Sequence, residues 1–154
     1  MQLSSTAFEE GEMIPQRFTC DGDNVSPPLS MSDVPEGAVS LVLIMDDPDV
    51  PKAVKPDGVF DHWVLFNIDP TTTEIPEGAS AGVAGANGRG ENTYTGPCPP
   101  PQYEPSTHRY IFVLYALDTT LSLSPGASKA DVLTAMGGHV LGEVHLMGRY
   151  TRKK

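Results

Sequence analysis

The chain has 154 residues, 39% of them hydrophobic, with 15 glycines and 15 prolines. That length fits one compact domain with one core, residues 1–154, and the abundance of turn formers points to a mainly β architecture. Twenty acidic against ten basic residues leave a net charge of −10, which repels nucleic acid and anionic membrane surfaces over long range. The short basic tail Arg149-Tyr150-Thr151-Arg152-Lys153-Lys154 does not reverse that balance. No apolar run approaches the roughly 20 residues that cross a bilayer, so no transmembrane segment is expected. The start Met1-Gln2-Leu3-Ser4-Ser5 lacks the basic and apolar regions of a signal peptide, and a cytoplasmic protein is the expectation.

In chain order, residues 2–8 read as a short edge strand, Glu9-Glu10-Gly11-Glu12 as a turn, and Ile14-Pro15 as the start of an extended segment through Phe18. Residues 20–28 form a loop, with Asp21-Gly22 and Pro27-Pro28 as turn signals. Asp21-Gly22-Asp23-Asn24 lacks the alternating ligands and closing glutamate of a calcium loop. After a turn at 33–37, Val39 opens a strand through Met45, and Ser40-Leu41-Val42-Leu43-Ile44 is apolar enough to be buried on both faces. Met45-Asp46-Asp47-Pro48-Asp49-Val50-Pro51 then places three carboxylates at its end, and the two prolines force the chain out of the sheet.

Residues 52–58 read as a surface loop and 60–68 as a strand, with Trp63, Leu65 and Asn67 alternating against Val64, Phe66 and Ile68. Strict alternation puts His62 on the face of Val64 and Phe66. Residues 69–105 show no convincing period, and so long a loop in a small domain is more often functional than idle. Gly85-Ala86-Asn87-Gly88-Arg89-Gly90 fits neither dinucleotide nor Walker spacing and is not read as a phosphate loop. In the strand 108–117, His108 and Tyr110 point one way and Arg109 the other, where Arg109 is expected to clamp a carboxylate. Ser128 is positioned to cap a helix over 129–136 with Val132, Leu133 and Met136 as its apolar stripe; Gly137-Gly138 ends it, and a last strand spans 140–151.

The order T-C-D-G-x-N-x-S-P-P-L, D-D-P-D-x-P, H-W, G-P-C-P-P-P, T-H-R-Y-x-F-x-x-Y-A-L-D and G-H-V-L-G resembles the phosphatidylethanolamine-binding protein family, in its bacterial and archaeal, Raf-kinase-inhibitor-like branch. The likeness covers nearly the whole chain. It implies a β-sandwich with a large antiparallel sheet, a smaller sheet and one or two short helices, and an anion-accepting pocket at one end. Matched by motif, the ligand-binding residues would be Asp47, Asp49, His62, Cys98, Pro99, His108 and Tyr110. The resemblance also places Cys20 and Cys98 within bonding reach near the pocket mouth. A bridge between them would close a loop of about 78 residues and add roughly 4 kcal/mol on the chain-entropy estimate, although cytosolic thiols are normally reduced. Two departures stand out. Met31 occupies the position where the family usually has tryptophan, and the chain stops at Lys154 without the C-terminal helical extension of eukaryotic members. Lid behaviour and kinase-regulatory contacts therefore do not carry over.

Taken without the resemblance, His62 and His108 fit equally well as satisfied core histidines at strand ends. As pocket residues they would supply donors that charge near their ordinary pKa of about 6.5, with carboxylates behind them fixing tautomer and charge. No H-x-H or H-E-x-x-H spacing supports a metal, and His139, Glu143 and His145 read as exposed sheet residues. No G-x-S-x-G elbow is present, and prolines on both sides place Cys98 poorly as a nucleophile. The expectation is a non-catalytic module, without cofactor or metal, that binds phosphate-like or other anionic ligands of the phospholipid-headgroup type. The alternative is a protein-interaction regulator inhibiting a serine protease or a kinase, and a hydrolase or transferase without a recognisable motif comes third. Monomer and homodimer remain equally open.

Overall fold

The computed structural model describes residues 1–152; Lys153 and Lys154, the end of the basic tail, lie outside the described residues. Two antiparallel sheets form the body. The small sheet has the order β1-β2-β5, from β1 (Gln2–Ser4), β2 (Leu29–Ser32) and β5 (Glu74–Ile75). The large one has the order β6-β4-β3-β7-β8, from β3 (Ser40–Asp47), β4 (Phe60–Ile68), β6 (Val83–Ala84), β7 (Thr107–Leu117) and β8 (Val140–Thr151). One helix, α1 (Lys129–Met136), completes the fold. This is the mainly β sandwich expected.

The unbroken apolar run of β3 has a direct cause: both faces of the large sheet are covered. One face meets the small sheet, where Leu41, Leu43, Met45, Leu65, Phe112 and Leu114 pack with Leu3, Met31 and Ile75. The other face packs Val42, Ile44, Val64 and Phe66 against Leu121 and against Val132 and Met136 of α1. Ser128 caps α1 in a capping box with Asp131, which satisfies backbone donors that would otherwise lack partners. Leu133, expected in the apolar stripe, is 40% exposed. Met31, at the family's aromatic position, is 3% exposed and pairs across the small sheet with Leu3; a flexible thioether fills that part of the core.

Three further expectations change. The strand expected over 2–8 ends at Ser4, and Phe8 leaves it to enter the core. The segment after Pro15 is a 3₁₀ turn at Gln16–Phe18 rather than extended chain. Third, β4 does not alternate strictly. Leu41 pairs with Ile68 but Leu43 with Leu65, so β4 carries one extra residue there. Asn67 sits at this bulge with φ 52°, a left-handed conformation that asparagine tolerates better than most residues. Its amide donates to the Leu121 carbonyl (2.9 Å) and accepts from the Leu121 N–H (2.8 Å). The bulge turns Ile68 onto the inter-sheet face, opposite Val64 and Phe66.

Replacing Asn67 with alanine removes both hydrogen bonds while keeping a Cβ at positive φ, and is expected to cost about 2–3 kcal/mol. Urea unfolding of Asn67→Ala against wild type measures this; a loss below about 1 kcal/mol would show that the bulge holds without its amide.

Candidate functional site

The end of β3 and the start of β7 lie side by side, and four residues lock them together. Asp47 is 3% exposed and His108 0%. The His108 Nδ1–H donates to Asp47 Oδ2 at 2.7 Å, and the second Asp47 oxygen accepts the Asp49 N–H at 2.8 Å. Both carboxylate oxygens are thus occupied in holding the turn and one imidazole tautomer. Asp49 faces outward, where Arg109 donates to it from its backbone N–H (2.8 Å), Nε (2.9 Å) and Nη2 (2.8 Å). This is the clamp expected of Arg109, and it holds the Asp49 carboxyl below the usual carboxylate range.

His62 arrives by a second bulge. Met45 pairs with Trp63 but Asp46 with Asp61, so His62 is the extra residue and strict alternation fails there. Instead of joining Val64 and Phe66, its ring turns to the inter-sheet side, edge-on to Tyr110 (5.3 Å between centroids) and Phe60 (4.8 Å). Bulges re-aim side chains in this way beside functional sites. Its Nδ1 lies 2.6 Å from the Thr95 carbonyl. A carbonyl only accepts, so Nδ1 carries the proton and Nε2 of the neutral ring is a lone-pair acceptor. Burial pushes the His62 pKa below its ordinary value, outweighing the Thr95 contact and the Asp47 and Asp61 charges that favour the cation. The neighbours Asp46 and Asp61 go to the opposite face, where Lys129 at the start of α1 meets them at 2.6 and 3.4 Å. Burial raises Asp46 to about 6 despite that ammonium.

Between these strand ends and residues 94–100 opens a cavity of about 320 Å³. Of the residues anticipated from motifs, Asp47, His62, Cys98, Pro99 and His108 line it. Asp49 does not, because Arg109 holds it outside, and Tyr110 lies beneath the floor, 0% exposed and stacked near His108. Burial first, and the Asp47 charge second, push the Tyr110 phenol upward, keeping it neutral. Two buried atoms here, His108 Nε2 and the Tyr110 hydroxyl, find no hydrogen-bond partner among the described residues. Since Nδ1 of His108 is bound to Asp47, Nε2 is the ring nitrogen left without a partner, and it too is buried.

The sequence reading missed Arg89, Phe60, Thr95 and Pro100, together with Val50 and Val54 at the lip. Arg89 comes from the Gly85–Gly90 stretch set aside above. That loop is shaped by Asn87, whose side chain donates to the Thr93 carbonyl (2.8 Å) and accepts from the Arg89 N–H (2.8 Å), an Asx-type turn. The Gly88 N–H docks on the Asp61 carbonyl (2.8 Å). An asparagine between glycines was the available signal. Cys98 is bonded to Cys20, with 5.4 Å between their Cα atoms, so its sulfur is no free nucleophile in this state. His139 pairs with Asp118 and His145 with Glu143, all four at the surface. No cluster of three or more histidine, cysteine or acidic side chains suited to a metal occurs among the described residues.

A two-sheet sandwich with a small cavity at one end of its large sheet defines a ligand-binding class of protein. The comparisons narrow the class. The profile of the phosphatidylethanolamine-binding protein family matches residues 4–151, and the chain belongs to that family. A UPF0098 protein of Methanothermobacter thermautotrophicus is 51% identical over 159 residues, covering 99% of both chains. The crystal structure of CT736 from Chlamydia trachomatis, a homolog of phosphatidylethanolamine-binding protein, superposes with a TM-score of 0.93 at 46% identity, over 99% of this chain and 97% of that one. YbcL of E. coli, a member of the same family, gives 0.87 at 28% identity, over 99% and 98%. No helix among the described residues is long and apolar enough to cross a membrane.

His62 is expected to titrate below 6.5, and this bears on stability. Between its folded and unfolded pKa the unfolded chain binds the proton more readily. Stability from this residue is therefore complete above about pH 6.5 and falls as pH drops below it. Proton–nitrogen NMR of the ring, with unfolding followed at pH 7.5 and 5.5, checks both. A His62 pKa above 6.5 would show that Asp47 and Asp61 outweigh burial.

Proposed function

We propose that the cavity is a non-catalytic receptor for small phosphate-like anions, of the kind carried by phospholipid headgroups and other phosphate esters. One observation carries the reading: a buried imidazole, held by a carboxylate through Nδ1, keeps its opposite nitrogen unpartnered in the cavity wall. An anion binding there meets a ring whose far side is already held by Asp47, and Arg89, paired with Glu91 at 3.3 Å, adds a cation at the rim. Asp47 is then a positioning residue rather than a source of repulsion, because its oxygens are spent on His108 and the Asp49 amide. The apolar wall of Phe60, Pro99, Pro100 and Val50 suits a carbon substituent on the anion. Asp47 is the one acidic residue of the lining, so an ammonium on the ligand meets no uncommitted carboxylate. The phosphate, not the amine, is what the site reads.

Binding should tighten on acidification, as His62 charges. Sulfate keeps its charge between pH 5.5 and 8, so calorimetry with sulfate isolates the protein's own titration; about tenfold tighter binding at pH 5.5 is expected. Phosphate and phosphoethanolamine should bind with similar affinity. Asp47→Asn should weaken binding near neutral pH although it removes a negative charge, and Arg89→Ala should weaken it about threefold, as fits an exposed cation. Equal sulfate affinity at both pH values, or tighter binding by Asp47→Asn, would overturn the assignment.

A protein-interaction role, as inhibitor of a serine protease or kinase, draws on exposed apolar groups near the mouth: Val54 is 53% exposed and Tyr103 38%. Inhibition assays with Tyr103→Ala separate the readings, since that change leaves the anion cradle intact.

A further inference from the structure

The Cys20–Cys98 bridge occupies a particular place: Cys98 is both a lining residue of the cavity and the last tie of its proline-rich wall. Upstream of Cys98 the loop is held without the bridge. The Tyr94 hydroxyl donates to the Phe18 carbonyl (2.7 Å), the Gly96 N–H to Asn24 Oδ1 (2.7 Å), and the Cys20 N–H to the Pro97 carbonyl (3.1 Å). Gly96 approaches the Phe18 carbonyl so closely that a Cβ has no room. Downstream the situation is different. Pro99, Pro100, Pro101 and Pro105 have no N–H to give, and the backbone of 99–106 makes one hydrogen bond among the described residues, the local Tyr103 N–H to Pro100 carbonyl at 3.3 Å. The next anchor is β7, where Thr107 pairs with Thr151. Both cysteines are exposed, so a reductant has access to the bridge.

We propose that the Cys20–Cys98 disulfide is a redox latch: oxidised, it holds in place the 99–106 segment, whose Pro99 and Pro100 form a wall of the cavity, and reduced, it releases that wall segment and weakens ligand binding. The affinity half of this rests on the anion-binding reading above; the release of the wall does not. The reductant is a dithiol. Its thiolate attacks one sulfur of the bridge, and the other cysteine leaves as a thiolate and takes up a proton. The second thiol of the reductant, as a thiolate, then attacks the mixed disulfide and expels the remaining cysteine, which is protonated in turn. Two electrons and two protons pass to Cys20 and Cys98, and the reductant ends as its own disulfide. The 94–97 segment stays pinned throughout, so the His62–Thr95 contact survives and the change is confined to the wall.

The test compares oxidised wild type, wild type reduced with dithiothreitol, and Cys20→Ser/Cys98→Ser. Backbone order is read by nitrogen-15 relaxation at Gln102, Tyr103 and Glu104, with hydrogen exchange of β7–β8 amides as the check on folding, and phosphate affinity is read by calorimetry. Reduction should lower backbone order in the wall, leave β7–β8 protected, and weaken phosphate binding about tenfold through lost preorganisation. The double variant should match the reduced protein and ignore dithiothreitol. Unchanged order in the wall on reduction overturns the latch whether or not phosphate binds. Lower order with unchanged phosphate affinity overturns its control of the site. Oxidised wild type that binds no phosphate overturns the anion reading and the affinity half with it, leaving release of the wall to be judged on relaxation alone. If the double variant loses β7–β8 protection, the reduced wild type decides the outcome.

Discussion

The buried Asp47–His108 hydrogen bond is the constraint on which the cavity depends. A carboxylate and an imidazole that are 3% and 0% exposed must satisfy each other, because either alone would meet a severe desolvation cost. Their contact joins the exit of β3 to the entry of β7, strands that are neighbours along the rest of their length. The same contact leaves one nitrogen of His108 without a protein partner. The ring is thus tied to the fold on one side and unpaired on the other. Asp49 and Arg109 repeat the pairing outside the cavity, where it braces the strand ends without entering the site.

The second histidine works differently. His62 has no carboxylate on its ring nitrogens; its Nδ1 bonds a neutral carbonyl, and burial outweighs the nearby charges, so the ring stays neutral to lower pH. Two histidines in one cavity are thus given unlike environments, one by a charge and one by a dipole.

The cavity walls come from chain with almost no regular structure, and several kinds of tie hold it. Asn87 folds its loop with side-chain hydrogen bonds, prolines restrict the 97–101 segment by their rings, and the Cys20–Cys98 bond joins two loops far apart in sequence. Each tie replaces the ladder hydrogen bonds a strand would have supplied.

Much was legible in the chain itself. Hydrophobic run length marked β3 as buried on both faces, alternation marked β7 and separated Arg109 from its neighbours, and Ser128 with Gly137 bounded α1. Those signals are local, written in the period of side chains or in capping chemistry, and local rules suffice to read them. The orientation of His62, the exclusion of Asp49 and Tyr110 from the cavity wall, and the arrival of Arg89 were decided only by the tertiary structure. A bulge is a mismatch between two strands and leaves no mark on either one alone, so the face of His62 depended on how β4 met β3. Arg89 lies in a stretch without period, and its place follows from how Asn87 folds the loop and where Gly88 docks on β4. Composition and spacing determine which elements form and where they end; which side chains share a cavity depends on register, and register is a property of pairs of strands.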